Sequence, residues 1–536
     1  MGLLTNPQAR ARISQLVSKY NNIISCLCYV AGVLGFLALA HKNVNAGNYF
    51  SENALLPGLV EPDFYHDFGA FAHLRSLNAH IRSLNEDKSY KIPVDWLEDR
   101  FREIGLDVYI HNYSFMYPEK LLRGQVFTGH TYWAKDIIFL VTENEQIGMQ
   151  AWLDAYHSTQ NQYIFAGEMA GRSGAIQAAI NLEIPTETIG RLNIKPEGLN
   201  GQLPNLDLIN TVADHRFPDS TSGYKHGLET MLRMMWNQAP GVPTGNHGLF
   251  HRYHIEALTL EGMRLKISKR SMGLVDIGRV IEGVFRSLNN LLERFHQSFF
   301  FYILPSTDRY VSIGLYMPPF GLLVAPVLIK ISFFDTAFLD LFQAIALWIS
   351  YGNHKSEVAG KHSEGKDEMS DKTEATEKTS EPPVAESFNT VISLMPKGPD
   401  WQLLKCVGLL TVALLLAVIS VMNISLAFFI ATMWVPVMVL VRPTKSRLLR
   451  FLQYPLLLLV SPMGMLFLAC LIQTTVVDPV KNLDDMLPNM LTAVQTSLLT
   501  AVIDTYFYGN WLFAMVTLTL LPAWTLFWSL MWTHPY

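Results

Sequence analysis

TYWAKDIIFLVTENEQIGMQAWLDAYH, Thr131 to His157, joins a β-rich apolar run, a cluster of carboxylates and an amphipathic segment within one short stretch. Ile137-Ile-Phe-Leu-Val141 reads as a strand buried on both faces, as in the parallel sheet of an α/β domain. Glu143 and Glu145 then fall in the loop at its carboxyl end, where open α/β sheets bind ligands. From Ile147 onward, apolar residues at Ile147, Trp152, Leu153 and Tyr156 suit a helix.

The rest of the chain decides whether those carboxylates have partners. The 536 residues have a mean hydropathy of +0.19, with 50% hydrophobic and only 16% charged residues. That is too apolar for a soluble multidomain protein, whose charged fraction is about 25%. A membrane protein with one large soluble part is expected. A net charge of −5 gives no basic footprint for nucleic acid. Cys26, Cys28, Cys406 and Cys470 all lie in apolar runs, so neither a disulfide framework nor a cysteine zinc site is indicated.

Working outward, residues 1–22 carry Arg10, Arg12 and Lys19 and precede an uncharged apolar run, a transmembrane helix at 23–41, so the N-terminus is expected in the cytosol. A cleaved signal peptide competes with this reading, but the run exceeds the usual apolar core of such peptides. Residues 43–308 hold most of the turn residues and alternate as α/β: helices at Phe68–Leu84, Val94–Ile104, Tyr224–Gln238 and Ile277–Phe301, strands at Val108–Phe115, Ala175–Ile184 and His254–Leu260. Asn112-Tyr-Ser114 is a glycosylation sequon if this domain is luminal. A Gly/Asn/Pro-rich loop, Glu197 to Asp207, punctuates the domain.

A second span at 310–331 is expected to be kinked or broken by Pro318, Pro319 and Pro326. Phe333–Trp348 reads as an interfacial helix. Residues 352–400, rich in Lys, Glu, Ser and Thr, cannot bury a core and read as a disordered cytosolic loop. Residues 401–536 hold four spans: Cys406–Met422 and Ile424–Val441 as a hairpin around Asn423, then Tyr454–Ile472 and Trp511–Trp532. Thr492–Ile503 is assigned to the membrane surface. These six spans put Arg442, Lys445, Arg447 and Arg450 on the cytosolic side, in keeping with the positive-inside rule, and both termini with them.

A luminal metallohydrolase would draw zinc ligands from Glu143, Glu145, Glu183, His247 and Tyr253, with three protein ligands and a nearby base required. Spacing alone favours the plainer reading, in which these are loop-edge polar residues and a locally hydrogen-bonded histidine. No Gly-x-Ser-x-Gly elbow, P-loop or dinucleotide fingerprint is present. A transporter would show ionisable residues or broken helices at mid-membrane, and only the prolines of the second span hint at that.

Several blocks carry a resemblance: Tyr132-Trp-Ala-Lys-Asp136, Ala151-Trp-Leu-Asp-Ala-Tyr-His157, Gly171-Arg-Ser-Gly-Ala-Ile-Gln177, Glu197-Gly-Leu-Asn-Gly-Gln-Leu-Pro-Asn-Leu-Asp207, His247-Gly-Leu-Phe250 and Leu292-Glu-Arg-Phe-His-Gln-Ser-Phe299. With them the chain resembles the Gaa-type GPI-anchor attachment subunits of the GPI transamidase complex. The resemblance implies a multi-pass endoplasmic reticulum membrane protein that is not itself the catalyst. Its partners would be a caspase-like cysteine protease subunit, other transamidase subunits, the GPI lipid and the proprotein substrate. It also implies a luminal α/β domain similar to zinc aminopeptidases. Those enzymes carry Glu-Glu-x-Gly-x-x-Gly after the central strand. Aligning the last glycine with Gly148 puts Thr142 at the base and Glu143 at the ligand, with Glu183 where an aspartate ligand is usual and His247 near the last histidine. The segment between Phe115 and Tyr132 lacks the strand-helix unit that would bear a further ligand, so the sheet is expected to be incomplete. The metal site is therefore expected to be vestigial, with no catalytic residue and no zinc required.

Overall fold

The computed structural model describes residues 7–47, 94–117, 120–132, 135–185, 189–215, 223–263, 273–332 apart from 292 and 297–299, 400–477 and 486–532, together with Ala79 and Ser83. The readings of Phe68–Leu84, Phe333–Trp348 and the loop within 352–400 lie outside the described residues, Ala79, Ser83 and Asp400 apart.

In chain order, helix α1 (Pro7–Ala38) leads to a short strand β1 (Ala46–Gly47). Helix α2 (Val94–Glu103) precedes a long hairpin of β2 (Asp107–Tyr117) and β3 (Lys120–Tyr132), then β4 (Asp136–Thr142) and α3 (Gln146–His157). β5 (Ile164–Phe165), β6 (Ala178–Glu183), β7 (Arg191–Lys195), α4 (Leu206–His215), α5 (Tyr224–Gln238), β8 (Glu256–Met263), α6 (Leu274–Asn290), β9 (Tyr302–Ser306) and β10 (Arg309–Ser312) complete the α/β part. The apolar helices follow: α7 (Ile313–Ser332), α8 (Asp400–Met422), α9 (Ile424–Leu440), α10 (Arg447–Leu459), α11 (Pro462–Ile472), α12 (Met486–Phe507) and α13 (Leu512–Leu530).

The strands form three sheets among the described residues, in the orders β1-β10-β9, β4-β3-β2-β5 and β6-β8-β7. The Ile137–Val141 strand is not the centre of a parallel sheet, as its composition suggested. Among the described residues β4 pairs antiparallel with β3 alone, at the edge of its sheet, and Phe139 is 43% exposed. Connection length is the reason. β3 and β4 are separated by residues 133–135, far too few for the crossover a parallel pair needs. β6 and β8 are the parallel pair, in register from Ala178–Glu256 to Glu183–Glu261. The helix expected over Ile277–Phe301 ends at Asn290.

Three expectations for the membrane helices change. α7 is not broken at Pro318, Pro319 or Pro326, so of the two alternatives, kinked or broken, the break is excluded. Tyr454–Ile472 is not one straight span: α10 and the helix that follows it are bent by 66° at a short break. The apolar segment at Thr492–Ile503 belongs to a longer helix than expected, the 22 residues of α12, which by length and composition alone could lie on a membrane surface or cross it. Among the described residues five helices are long and apolar enough to cross, or six if the bent pair counts as one, and α9 is a shorter apolar helix beside them.

The two parts share their interior. One hydrophobic cluster runs from Leu208, Val280 and Tyr302 of the α/β part through Phe36 and Leu323 to Trp434 of α9. α1 lies so close to α7 that a Cβ on Gly32 would stand 2.5 Å from the Leu323 backbone nitrogen, the small-residue packing expected of membrane helices. A second cluster around Trp152, Leu153 and Phe250 takes in Phe507 and Tyr508 at the end of α12. At the opposite end of the bundle Lys405 Nζ donates to the carbonyls of Val439 (2.9 Å) and Val441 (2.6 Å), and Lys330 Nζ donates to Asn22 Oδ1 at 2.7 Å.

Candidate functional site

The turn after β4 is built by two consecutive left-handed residues, Asn144 (φ 55°) and Glu145 (φ 45°). Tyr113 locks it: its hydroxyl donates to the Glu143 carbonyl at 2.8 Å and accepts from Asn144 Nδ2 at 2.9 Å. Gly148 has to be glycine here, because a Cβ would lie 2.1 Å from the Glu143 carbonyl oxygen. Glu145 is exposed and falls at the first glycine of the aligned Glu-Glu-x-Gly-x-x-Gly run. Its backbone (φ 45°, ψ −113°) suits glycine far better than glutamate.

His247 sits in a different place, fully buried in a short helical turn. Its Nε2–H donates to the Glu197 carbonyl at 2.9 Å, and its Nδ1 accepts from the Thr259 hydroxyl at 2.7 Å. Desolvation first, and His251 nearby second, push its pKa down to about 3, so the ring stays neutral. Asn181 Nδ2 links Thr259 Oγ1 (3.0 Å) to Glu183 Oε1 (3.1 Å). Lys195 Nζ then bridges Glu183 Oε2 at 2.8 Å and Glu261 Oε1 at 2.9 Å, and Asn193 donates to the second oxygen of Glu261. Burial works against the Lys195 charge, but its two carboxylate partners outweigh that and hold its pKa above the usual lysine value.

Zinc ligation needs a free imidazole lone pair and unpaired carboxylates. His247 has neither ring nitrogen to offer, and Glu183 already faces an ammonium. The donor set does not fit a metal. Among the described residues no group of three or more His, Cys, Asp or Glu is placed to hold one. Tyr253 is apart from this network: its hydroxyl donates to Asp154 Oδ1 at 2.6 Å and its ring stacks on His157 at 4.4 Å. Burial, and next the Asp154 bond, push its pKa up to about 12. Thus Glu183 and His247 are joined through Asn181 and Thr259, while Glu143, Glu145 and Tyr253 take no part in that chain of contacts. Spacing could not reveal Lys195, Thr259 or Glu261, because they come from other strands.

The Gly/Asn/Pro-rich loop does more than punctuate. Leu199, Gly201, Asn205 and Asp207 are buried, and the loop meets the ends of the membrane helices. Asn200 Oδ1 accepts from Trp511 N at 3.0 Å, and its Nδ2 donates to the Gly509 carbonyl at 3.3 Å. Asn423, which caps α9 by accepting from Leu426 N, donates to the Gln238 carbonyl at 2.8 Å. Gln238 in turn donates to the Gly201 carbonyl at 2.8 Å. The α8–α9 turn, the start of α13 and Gln473, which accepts from Trp236 Nε1 at 2.8 Å, therefore all abut the α/β part. Beside this junction lies a cavity of about 500 Å³, walled by Tyr302, Tyr316, Val421, Met422 and Trp511.

Asn112, the sequon residue, is exposed in the middle of β2, opposite Gln125.

Comparison with known proteins gives the family. The family described as Gaa1-like, GPI transamidase component, matches residues 124–392 and 382–528. The GPI transamidase component gaa1 of Schizosaccharomyces pombe is 28% identical over 459 residues, 72% of this chain and 76% of its own length. The GPI transamidase component GAA1 of Saccharomyces cerevisiae is 26% identical over 352 residues, 55% of this chain and 54% of that protein. A family match over most of the chain places it plainly: the protein belongs to the Gaa1-like GPI transamidase components.

Proposed function

We propose that the chain is a non-catalytic subunit of a GPI transamidase in the endoplasmic reticulum membrane, with its α/β domain in the lumen and, α12 lying at the membrane surface and not crossing, both termini in the cytosol. It holds GPI and the proprotein beside a separate caspase-like protease subunit. Its contribution is proximity. Presenting the GPI amine to an acyl-enzyme turns a bimolecular attack into an effectively unimolecular one. The α/β domain is read as a peptidase scaffold that no longer binds zinc.

The observation that supports this reading is the Lys195–Glu183–Asn181–Thr259–His247 chain, which occupies two of the candidate ligands, Glu183 and His247, with other polar partners. Purification from mild detergent is expected to recover a cysteine protease subunit, and metal analysis of the purified complex is expected to find no stoichiometric zinc on this chain. Stoichiometric zinc, with GPI attachment lost in Glu143→Ala or His247→Ala, would overturn the scaffold reading in favour of a zinc-dependent peptidase or amide-forming enzyme. The luminal placement has its own check. Asn112 is expected to carry an N-glycan, so endoglycosidase treatment should shift the wild-type band and leave Asn112→Gln unmoved; an unshifted wild-type band would count against a luminal β2.

A further inference from the structure

α10 is set at a steep angle to the helix that follows it, Pro462–Thr475, and the 66° bend between them is built in. Ser461 caps α11 by accepting from Gly464 N at 3.0 Å, and a Cβ on Gly464 would stand 2.2 Å from the Leu458 carbonyl oxygen. The far end of α11 leads to Gln473, which meets Trp236 of the α/β part. A 13-residue helix is about 20 Å long, so at 66° α10 advances only about 8 Å along the axis of α11. It runs across the bundle more than through it. One side of α10 packs: Leu457 is fully buried, its carbonyl accepts from Trp524 Nε1 at 2.9 Å, and Tyr454 lies beside Trp528 with ring centres 5.6 Å apart. Elsewhere it is bare and apolar, and Leu448, Phe451, Leu452 and Leu458 are each more than half exposed.

Charge divides this segment lengthwise. Arg447 and Arg450 stand in the first turn of α10 and Arg442 and Lys445 just before it, whereas Phe451 to Leu459 carry no charge. No Asp or Glu occurs between Trp401 and Val477 to balance these cations. Among the described residues Arg442, Arg447 and Arg450 have no carboxylate partner; Arg450 donates to the Thr444 carbonyl at 2.9 Å, and Arg442 and Arg447 are exposed. A cationic end followed by a bare apolar helix matches a surface that is anionic outside and hydrocarbon within, which is a leaflet of acidic phospholipid. The descent of about 8 Å agrees with the depth of about 5–10 Å to which interfacial helices sink. Tyr454 and Trp528 supply the aromatic side chains that favour the same level. Together with the ~21 Å of Pro462–Thr475, α10 makes about the 30 Å of one hydrocarbon core, so the pair still crosses once. Resting on the topology proposed above, which puts this end in the cytosol, we infer that α10 slants along the cytosolic leaflet and that Arg442, Lys445, Arg447 and Arg450 bind the headgroups of anionic phospholipids there.

The test reconstitutes the full chain in vesicles of equal amounts of phosphatidylcholine and phosphatidylserine and reads the lipids that stay bound by native mass spectrometry. The wild type is expected to retain phosphatidylserine in excess. Arg447→Gln should lower that excess about fivefold, equivalent to ~1 kcal/mol, and Arg447→Lys, which keeps the charge, should preserve it. A photoreactive residue at Phe451 should crosslink to phospholipid. Equal retention of the two lipids, an excess that Arg447→Gln leaves unchanged, or Phe451 crosslinks to another subunit or to residues 352–400 of the chain itself in place of lipid overturns the inference and leaves the topology standing. The topology is checked separately in sealed microsomes, where Lys445→Cys should react, above the wild-type level, with a maleimide that cannot cross the membrane. Reaction only after the membrane is opened overturns the topology and takes the cytosolic lipid site with it.

Discussion

At the scale of single residues, Glu145 is the sharpest anomaly. A non-glycine residue at φ 45°, ψ −113° holds strain of order 1–3 kcal/mol. Glu145→Gly is expected to stabilise the detergent-solubilised protein by about 1 kcal/mol, since the backbone relief exceeds the entropic cost of glycine; a lower unfolding midpoint would show that the turn is not strained. His247 and His251 make a second prediction. Burial holds their pKa values at about 3 and about 4, below the free value of 6.5, so between those limits the unfolded chain binds more protons than the folded one. Stability from this pair is therefore complete above pH 6.5 and is lost as the pH falls, at a slope approaching ~1.4 kcal/mol per pH unit for each histidine. The thermal midpoint measured from pH 6.5 down to 4 should decline accordingly. His247 was legible as a notable residue because Gly245-Asn-His-Gly stands out in the chain. Its hydrogen-bond partners were not, since Thr259 and the Glu197 carbonyl reach it only through the fold.

At the scale of elements, local periodicity and tertiary pairing parted company. Tyr224–Gln238 and the α8–α9 hairpin around Asn423 could be read directly, because helical spacing and a capping asparagine are local signals. The direction of β4 could not be read from its own residues. An apolar run fits either ladder, and it took the length of the link to β3 to decide. The α12 helix was underestimated because Asp504 and the flanking acidic residues suggested an early end, whereas the helix continues to Phe507. Gly32 offers a test of element packing. With 2.5 Å between its missing Cβ and the Leu323 backbone, Gly32→Leu must push α1 off α7. Accessibility of cysteines engineered along the α1–α7 seam is expected to rise, and an unchanged labelling pattern would show that the helices do not meet there.

At the scale of the whole molecule, the shared core from Leu208 to Trp434 makes the α/β part and the bundle one packed body. Removing residues 509–536 takes away the bonds from Gly509 and Trp511 to Asn200. Hydrogen exchange in residues 197–207 should then accelerate, while the β2–β3 hairpin should keep its protection; equal loss in both would mean that the whole domain had unfolded. The contact between Asn200 and Trp511 also has a temporal meaning. Its two ends are 311 residues apart in the chain. At a synthesis rate of about 5–20 residues per second, roughly 15 to 60 s pass between their appearances. Throughout that interval the loop is without these two partners, and a chain that stops before Gly509 leaves the Asn200 side chain with neither of them.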